Sequence, residues 1–448
     1  MTGLAVANAA AVLVLLLLNS AMASAAGDDS YCPIALDDAV TLEREQIEHL
    51  FNMRGIPRDV AEAVAYDLEE SVERYLTAGQ NDGRSRGLLF YIGNTEVLCA
   101  IFWKVGSSRP DRAFHIERLE LAPDDMVAAI DDLMLQMQRS ESGTSRVIVP
   151  RDTAPPLSSR GAAPLRGTGD EDAGDPLDRL SEILFPGEIR NAIAGLASLT
   201  VLPCLNIATV PFSALDPDGD GAPLVLTTTV NVEAELDHIR QSRLLVWRTE
   251  IGNAAIFGNP AAWDDPDWEY PDLPGAELEA KRIAARLGST AVTGAAVTRD
   301  RIRSVLAQSD YIHIAAHGLS SASEPLDGSF LAVSDGRLVA LEIQGFELAA
   351  SPLVVLSACQ SGLGGRLDAG IVGLARAFIV GGAMEVVATL WNVDDAATET
   401  IMVDFVENLG SMTPPEALRK AQAAARERWP DPRIWSGFLV FGSRAILE

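Results

Sequence analysis

Two apolar runs each end on a residue that can do chemistry. Leu353-Val354-Val355-Leu356-Ser357-Ala358 leads into Cys359, and Gln360-Ser361-Gly362 follows at once. Tyr311-Ile312-His313-Ile314-Ala315-Ala316 leads into His317, with Gly318 next. Short apolar runs rich in β-formers and bounded by glycine read as strands. The two ends lie 359 − 317 = 42 residues apart, enough for one return connection between neighbouring parallel strands. Both side chains then emerge at the carboxyl edge of one sheet, where open α/β sheets bind ligands. A thiol and an imidazole there are the minimum set for nucleophilic catalysis.

The neighbours refine this expectation. His313 shares an alternating face with His317 but lies mid-strand, so His317 is the candidate acid/base. Gly318 allows close backbone approach, and its N–H together with that of Cys359 makes a candidate oxyanion hole. A helix is expected within a few residues of Cys359, and a helix N-terminus favours the thiolate. Asp394 and Asp395 follow a strand ending at Trp391-Asn392-Val393. Helix capping accounts for one of them, and on the same sheet edge either can line a pocket for a basic side chain. The glycines after Cys359 are spaced Gly362-x-Gly364-Gly365, not GxGxxG, with no acidic residue at a second strand end, so a dinucleotide site is unsupported. No GxSxG elbow occurs either. Asp216-Pro217-Asp218-Gly219-Asp220-Gly221 imitates the start of a calcium loop, but the twelfth position is Thr227 rather than a carboxylate, and a polar turn is expected.

The rest of the chain must position these groups. Its 448 residues favour two domains over one, and 48% hydrophobic content suffices for a substantial core. The balance of 35 basic and 63 acidic residues, net −28, argues against nucleic acid and anionic membrane as partners. Residues 1–26 hold an almost wholly apolar run, Leu4 to Leu18, and a small-x-small site at Ala23-Ser24-Ala25. They read as a secretory signal, or as an N-terminal anchor since no Lys or Arg precedes the run. A periplasmic or secreted location follows, or attachment to the inner membrane. Residues 27–150 read as a smaller α+β region: helical from Leu42 to Ala78, a hairpin over Leu88–Trp103 turning at Gly93-Asn94, a strand over Phe114–Leu121 and a helix over Pro123–Gln138. Residues 151–176, rich in Pro, Gly, Ser and charge, read as a disordered linker or insertion. From 177 to 448, helix is expected over Leu177–Leu199, broken at Pro186-Gly187, then strands over Leu199–Ile207 and at Val210-Pro211-Phe212. Strands then alternate with helices from Ala254 onward, including helices from Leu273, over Thr298–Leu306, Asp395–Leu409 and Pro415–Trp429, and strands over Glu385–Trp391 and Trp435–Phe441. That alternation implies a mainly parallel sheet covered by helices on both faces. Cys32, Cys99 and Cys204 are widely spaced with no zinc-ligand pattern, and read as buried small hydrophobes; in an oxidising compartment a disulfide among them is open.

An ordered series of motifs over 177–441 resembles the CHAT family, the bacterial caspase-like branch of the separase/caspase cysteine peptidases. The series is Val210-Pro-Phe-Ser-Ala-Leu215, Leu273-Pro-Gly-Ala-Glu277, Ile314-Ala-Ala-His-Gly318, Val355-Leu-Ser-Ala-Cys-Gln-Ser-Gly362, Gly373-Leu-Ala-Arg-Ala-Phe378, Ala388-Thr-Leu-Trp-Asn-Val-Asp-Asp395 and Trp435-Ser-Gly-Phe438. The resemblance implies a caspase-hemoglobinase α/β fold, a Cys359/His317 dyad and endopeptidase activity on a protein or peptide substrate, with no metal or organic cofactor. A non-catalytic interaction or signalling module on the same fold is the alternative. Family members often carry helical repeats that recruit partners, and none is seen in this sequence.

Overall fold

The apolar runs form the middle of a large twisted sheet. In the computed structural model, the described residues are 72, 74–77, 84–93, 98–106, 113–138, 149–150, 175–233, 245–358, 361–367, 370–392, 394–442 and 445–447. Residues 1–26, predicted as a signal or anchor, most of the predicted linker, and Cys359 lie outside them. Eleven strands make the sheet: β1 (Arg86–Gly93), β2 (Leu98–Val105), β3 (Ala113–Arg118), β4 (Ser198–Leu202), β5 (Thr229–Val232), β6 (Ala254–Pro260), β7 (Ala291–Gly294), β8 (Tyr311–Ala315), β9 (Leu353–Ser357), β10 (Glu385–Thr389) and β11 (Phe438–Gly442). Their spatial order is β7-β6-β8-β9-β10-β11-β5-β4-β1-β2-β3. The run from β7 to β10 is parallel, and β11 turns the direction by pairing antiparallel with β10. Every residue of β8, β9 and β10 is buried, the pattern of parallel strands covered on both faces.

The predicted N-terminal region joins this sheet. β1 pairs parallel with β4, with Leu88 opposite Thr200, and β2 and β3 add antiparallel at the far edge. One hydrophobic cluster runs from Leu89 and Phe102 through Val355 to Phe441, so both parts of the chain share a core.

Among the described residues, helices of seven or more residues are α1 (Pro123–Gln138), α2 (Pro176–Leu184), α3 (Gly187–Ile193), α4 (Pro274–Arg286), α5 (Arg299–Leu306), α6 (Leu374–Val380), α7 (Asp395–Leu409) and α8 (Pro414–Arg428). α4 shows why the local sequence folds as it does. Pro274 starts it, Glu277 sits in its first turn, and Ala276, Ala280, Ile283 and Ala284 make one buried face. That face lies directly on β6, because Gly258 has no side chain: a Cβ there would lie 2.5 Å from Ala280 Cβ and 2.6 Å from the Ala276 carbonyl oxygen. α7 packs on α4 and α8.

Several expectations are corrected. The segment around Val210-Pro211-Phe212 forms 3-10 turns at Ile207–Thr209 and Phe212–Ala214, because two consecutive turns bury these side chains without a ladder. The strand before it ends at Leu202 rather than Ile207. The hairpin pairs Gly93 with Leu98, so four residues separate the paired ends instead of two. Trp435 ends a short helix, Pro432–Trp435, ahead of β11. Cys99 is disulfide-bonded, not a simple core residue, and its partner lies outside the described residues, whereas Cys204 is buried and in no disulfide. No helix among the described residues is long and apolar enough to cross a membrane.

Candidate active site

β8 and β9 end level with each other. Ala315 pairs with Ser357 in their parallel ladder. Two residues further along each chain stand His317 and Cys359. Neighbouring strands lie about 4.8 Å apart, so the chain leaves the carboxyl edge at two adjacent points. The segments beyond these points are tied to each other, since Ser320 Oγ donates to the Leu363 carbonyl at 3.1 Å.

The described residues flanking Cys359 are anchored to the end of β10. Thr389 Oγ1 donates to the Ala358 carbonyl. Its N–H donates to Ser361 Oγ at 3.0 Å, and Ser361 Oγ donates in turn to the Leu356 carbonyl at 3.1 Å. Gly362 N–H reaches the Thr389 carbonyl at 2.8 Å. Ser361 and Thr389 are both buried, so these bonds are shielded from water. The helix expected directly after Cys359 is absent. A two-stranded hairpin (Gly364–Leu367 with Gly370–Gly373) comes first, and α6 starts only at Leu374. The glycine-rich stretch is therefore a hairpin, whose close Gly364–Gly373 pairing tolerates no bulk, rather than a turn into a helix.

His317 is nearly buried, at 4% exposure. Its backbone is fixed by a bond from Ala332 N–H to its carbonyl at 2.9 Å, and Gly318 opens a short strand paired with Leu331. The ring is fixed by Pro271, whose carbonyl oxygen lies 2.7 Å from Nε2. A carbonyl only accepts, so Nε2 carries a proton and the neutral ring has its lone pair on Nδ1. Tyr270 covers the ring at 5.8 Å between centroids, and Trp263 stacks on Tyr270 at 4.5 Å. Behind Tyr270 lies Asp265, fully buried, which accepts from Tyr270 Oη at 2.6 Å and from Arg337 through both Nε (2.8 Å) and a terminal nitrogen (2.5 Å). Burial alone would raise the Asp265 carboxyl; the hydrogen bonds from Arg337 and Tyr270, with the Arg337 charge, outweigh it and hold it well below the usual carboxylate range. Burial, then Asp265 itself, pushes the Tyr270 phenol up, so Tyr270 stays a neutral donor.

His313 is spoken for elsewhere. Its Nε2 lies 2.7 Å from Glu279 of α4 and its Nδ1 3.0 Å from Tyr311 Oη, all fully buried, which makes it part of the strand–helix packing. Asp394 caps α7, accepting from the N–H groups of Ala396 and Ala397 at 3.0 Å each. Asp395 lies against the first turn of α4, where a Cβ on Gly275 would occupy the place of its carboxylate. The positive end of α4 suits a carboxylate there. The Asp216 loop is the polar turn expected: Asp216 accepts from Gly219 and Gly221 N–H, and Asp220 from Ala222 N–H. No His/Cys/Asp/Glu group able to hold a metal is present among the described residues.

Sequence reasoning did not single out Pro271, Tyr270, Asp265, Arg337, Ser361 or Thr389. The one available signal was the density of Trp, Tyr and Asp between Trp263 and Asp272, unusual for a plain surface loop.

Tetratricopeptide repeat protein 28 of Homo sapiens is 27% identical over 241 residues, covering 44% of this chain and 10% of that protein. Its Mus musculus counterpart is 28% identical over the same shares. This chain thus spans about a tenth of the length of the curated relatives it matches. Among solved structures, the Saccharomyces cerevisiae separase–securin complex superposes with a TM-score of 0.51 at 12% identity, covering 86% of this chain and 31% of that one. At that identity the likeness shows the fold, a mostly parallel sheet of the separase and caspase type flanked by helices. The CHAT domain model matches residues 174–443, well over half of the chain, and the protein belongs to the CHAT family.

Proposed function

We propose that this chain is a cysteine endopeptidase in which Cys359 attacks the scissile carbonyl and His317 serves the leaving amine. The observation that carries this is the register of β8 on β9, Ala315 opposite Ser357, combined with a ring held through Nε2 by a backbone carbonyl. His317 Nδ1 takes the thiol proton as the sulfur–carbon bond forms. The N–H groups of Gly318 and Cys359 stabilise the oxyanion. The carbon–nitrogen bond breaks as the imidazolium returns the proton to the amine, and water then hydrolyses the thioester with His317 as base. The chain itself supplies every group this cycle needs, so neither metal nor organic cofactor has a step in it.

With Asp394 engaged as the cap of α7, Asp395, beyond the end of the strand next to β9, gives the cleft a preference for Arg or Lys before the cut. The substrate is a protein or peptide met outside the cytoplasm, after export through residues 1–26 or with those residues as an inner-membrane anchor. The disulfide at Cys99 supports an oxidising compartment. The test is purified protein and its Cys359→Ala variant on a mixed peptide library. Cleavage by the parent alone, enriched after basic residues, is expected. Equal cleavage by both proteins overturns the assignment.

A further inference from the structure

Pro271 is the group that fixes the His317 tautomer, yet it lies in an irregular segment between β6 and α4 whose only described strand is the two-residue Trp268–Glu269. A carbonyl in such a segment aims at a ring nitrogen only if its neighbours are pinned, and here they are pinned on both sides. Upstream, Tyr270 is held by Asp265, which accepts from Tyr270 Oη and from the N–H groups of Asp267 and Trp268. Arg337 grips Asp265 bidentately and reaches Asp267 as well, at 2.7 Å. Downstream, Asn259 holds the next two residues: its Nδ2 donates to Asp272 at 2.9 Å and its Oδ1 accepts from Leu273 N–H at 2.9 Å. Asn259 does this from a left-handed backbone, φ 46°, a conformation unusual for a residue with a side chain and retained only where surroundings enforce it.

Arg337 also closes a circuit back to His317. It sits on the strand Gly336–Val339, which pairs with Phe330–Val333, which pairs with Gly318–Leu319 immediately after the histidine. Its guanidinium lies 5.0 Å from the Phe330 ring centroid. One cation thus fixes the histidine's own strand relative to the segment that orients the ring. Ring cover by Tyr270 and the bond from Pro271 are two outputs of the same framework.

We infer that Asp265, Arg337 and Tyr270, with Asn259 on the other flank, are positioning residues that aim the Pro271 carbonyl and so set which nitrogen of His317 carries the proton. This rests on the dyad proposed above. A wrong tautomer or a ring turned away removes the base while leaving the substrate cleft intact. The acidic and basic partners never touch the reacting atoms.

The experiment uses Tyr270→Phe, which keeps the ring on His317 but removes its bond to Asp265, and Arg337→Lys, which keeps the charge but not the two-pronged grip. Full-length protein labelled with ¹⁵N-histidine is compared by NMR, His317 signals being identified with His317→Gln, and peptide turnover is measured beside it. The parent is expected to show the Nε2–H tautomer alone. Both variants are expected to show mixed tautomers and a kcat lower by about 10- to 100-fold, with KM within about twofold. Variants that melt earlier but keep the parent tautomer and kcat make the network merely structural and overturn the inference. A parent without Cys359-dependent turnover refutes the peptidase assignment alone, since the tautomer comparison still stands or falls by itself.

Discussion

Thr389→Val is the sharpest probe of how the residues flanking the proposed nucleophile are held. Valine keeps the volume and the branching of threonine, so β10 keeps its packing and strand preference. What is lost is one hydroxyl, the donor to the Ala358 carbonyl next to Cys359. Ala358 is 1% exposed and Thr389 4%, so water does not replace the lost donor. The Ala358 carbonyl keeps a second donor, Ser361 N–H at 3.2 Å, so the loss is that of one buried hydrogen bond, about 0.5–1.5 kcal/mol. Taking about 1 kcal/mol, the unfolding equilibrium shifts roughly fivefold. The Thr389 N–H to Ser361 and the Gly362 N–H to Thr389 survive, so the segment loosens at Ala358 and not throughout. Loss of one anchor beside a reacting atom lowers turnover by up to about 100-fold. Thr389→Ser is the control: it keeps the donor and loses only a methyl, at about 1 kcal/mol. Urea unfolding and Cys359-dependent peptide cleavage are measured on both. The reasoning fails if the serine variant loses as much turnover as the valine variant, or if the valine variant unfolds like the parent.

Four more outcomes follow from the geometry. Asp265 has a depressed carboxyl pKa in the fold, so its charged form stabilises the protein above the ordinary carboxylate value of about 4 and progressively less as pH falls below it; the difference in unfolding free energy between parent and Asp265→Asn should be widest at neutral pH and narrow toward pH 3, and a gap constant with pH contradicts this. Gly258→Val drives a side chain into Ala280 and the Ala276 carbonyl, pushing α4 off β6, and should cost about 1–3 kcal/mol or more by thermal unfolding; an unchanged melt would mean α4 shifts freely. Asp394→Ala should destabilise by about 1 kcal/mol through loss of the α7 cap, whereas Asp395→Asn should lower kcat/KM for Arg-containing peptides about tenfold relative to uncharged analogues; an unchanged ratio would restrict Asp395 to the N-terminus of α4.

The parts of the molecule that were legible in the sequence are those whose physics is local. β8, β9 and β10 announce themselves because strands covered on both faces must be apolar throughout. α1 and α7 begin where a proline or a capping aspartate says they should. His317 and Cys359 were legible as candidates for the same reason: the apolar runs before them form β8 and β9, which pair in register. The strands of two to four residues between Gly318 and Val339 gave no comparable signal, being too short for a period-two pattern. The buried apolar residues from Ile207 to Leu215 misled because burial alone, without alternation, does not separate a strand from a pair of turns.

The orienting partner of His317 was invisible for a deeper reason. A backbone carbonyl belongs to every residue, so no residue type at position 271 advertises that its oxygen will meet a ring nitrogen. What specifies that oxygen is the set of side chains pinning its neighbours, and these come from far along the chain: Arg337 reaches Asp265 across 72 residues. Each is unremarkable alone, an arginine in a short hairpin or an aspartate in a loop. Their meaning arises only once β8 carries His317 to the edge of the sheet and α4 closes the segment from behind. A candidate dyad can therefore be read from two strand ends, while the geometry that orients the His317 ring is written in residues that touch it only indirectly.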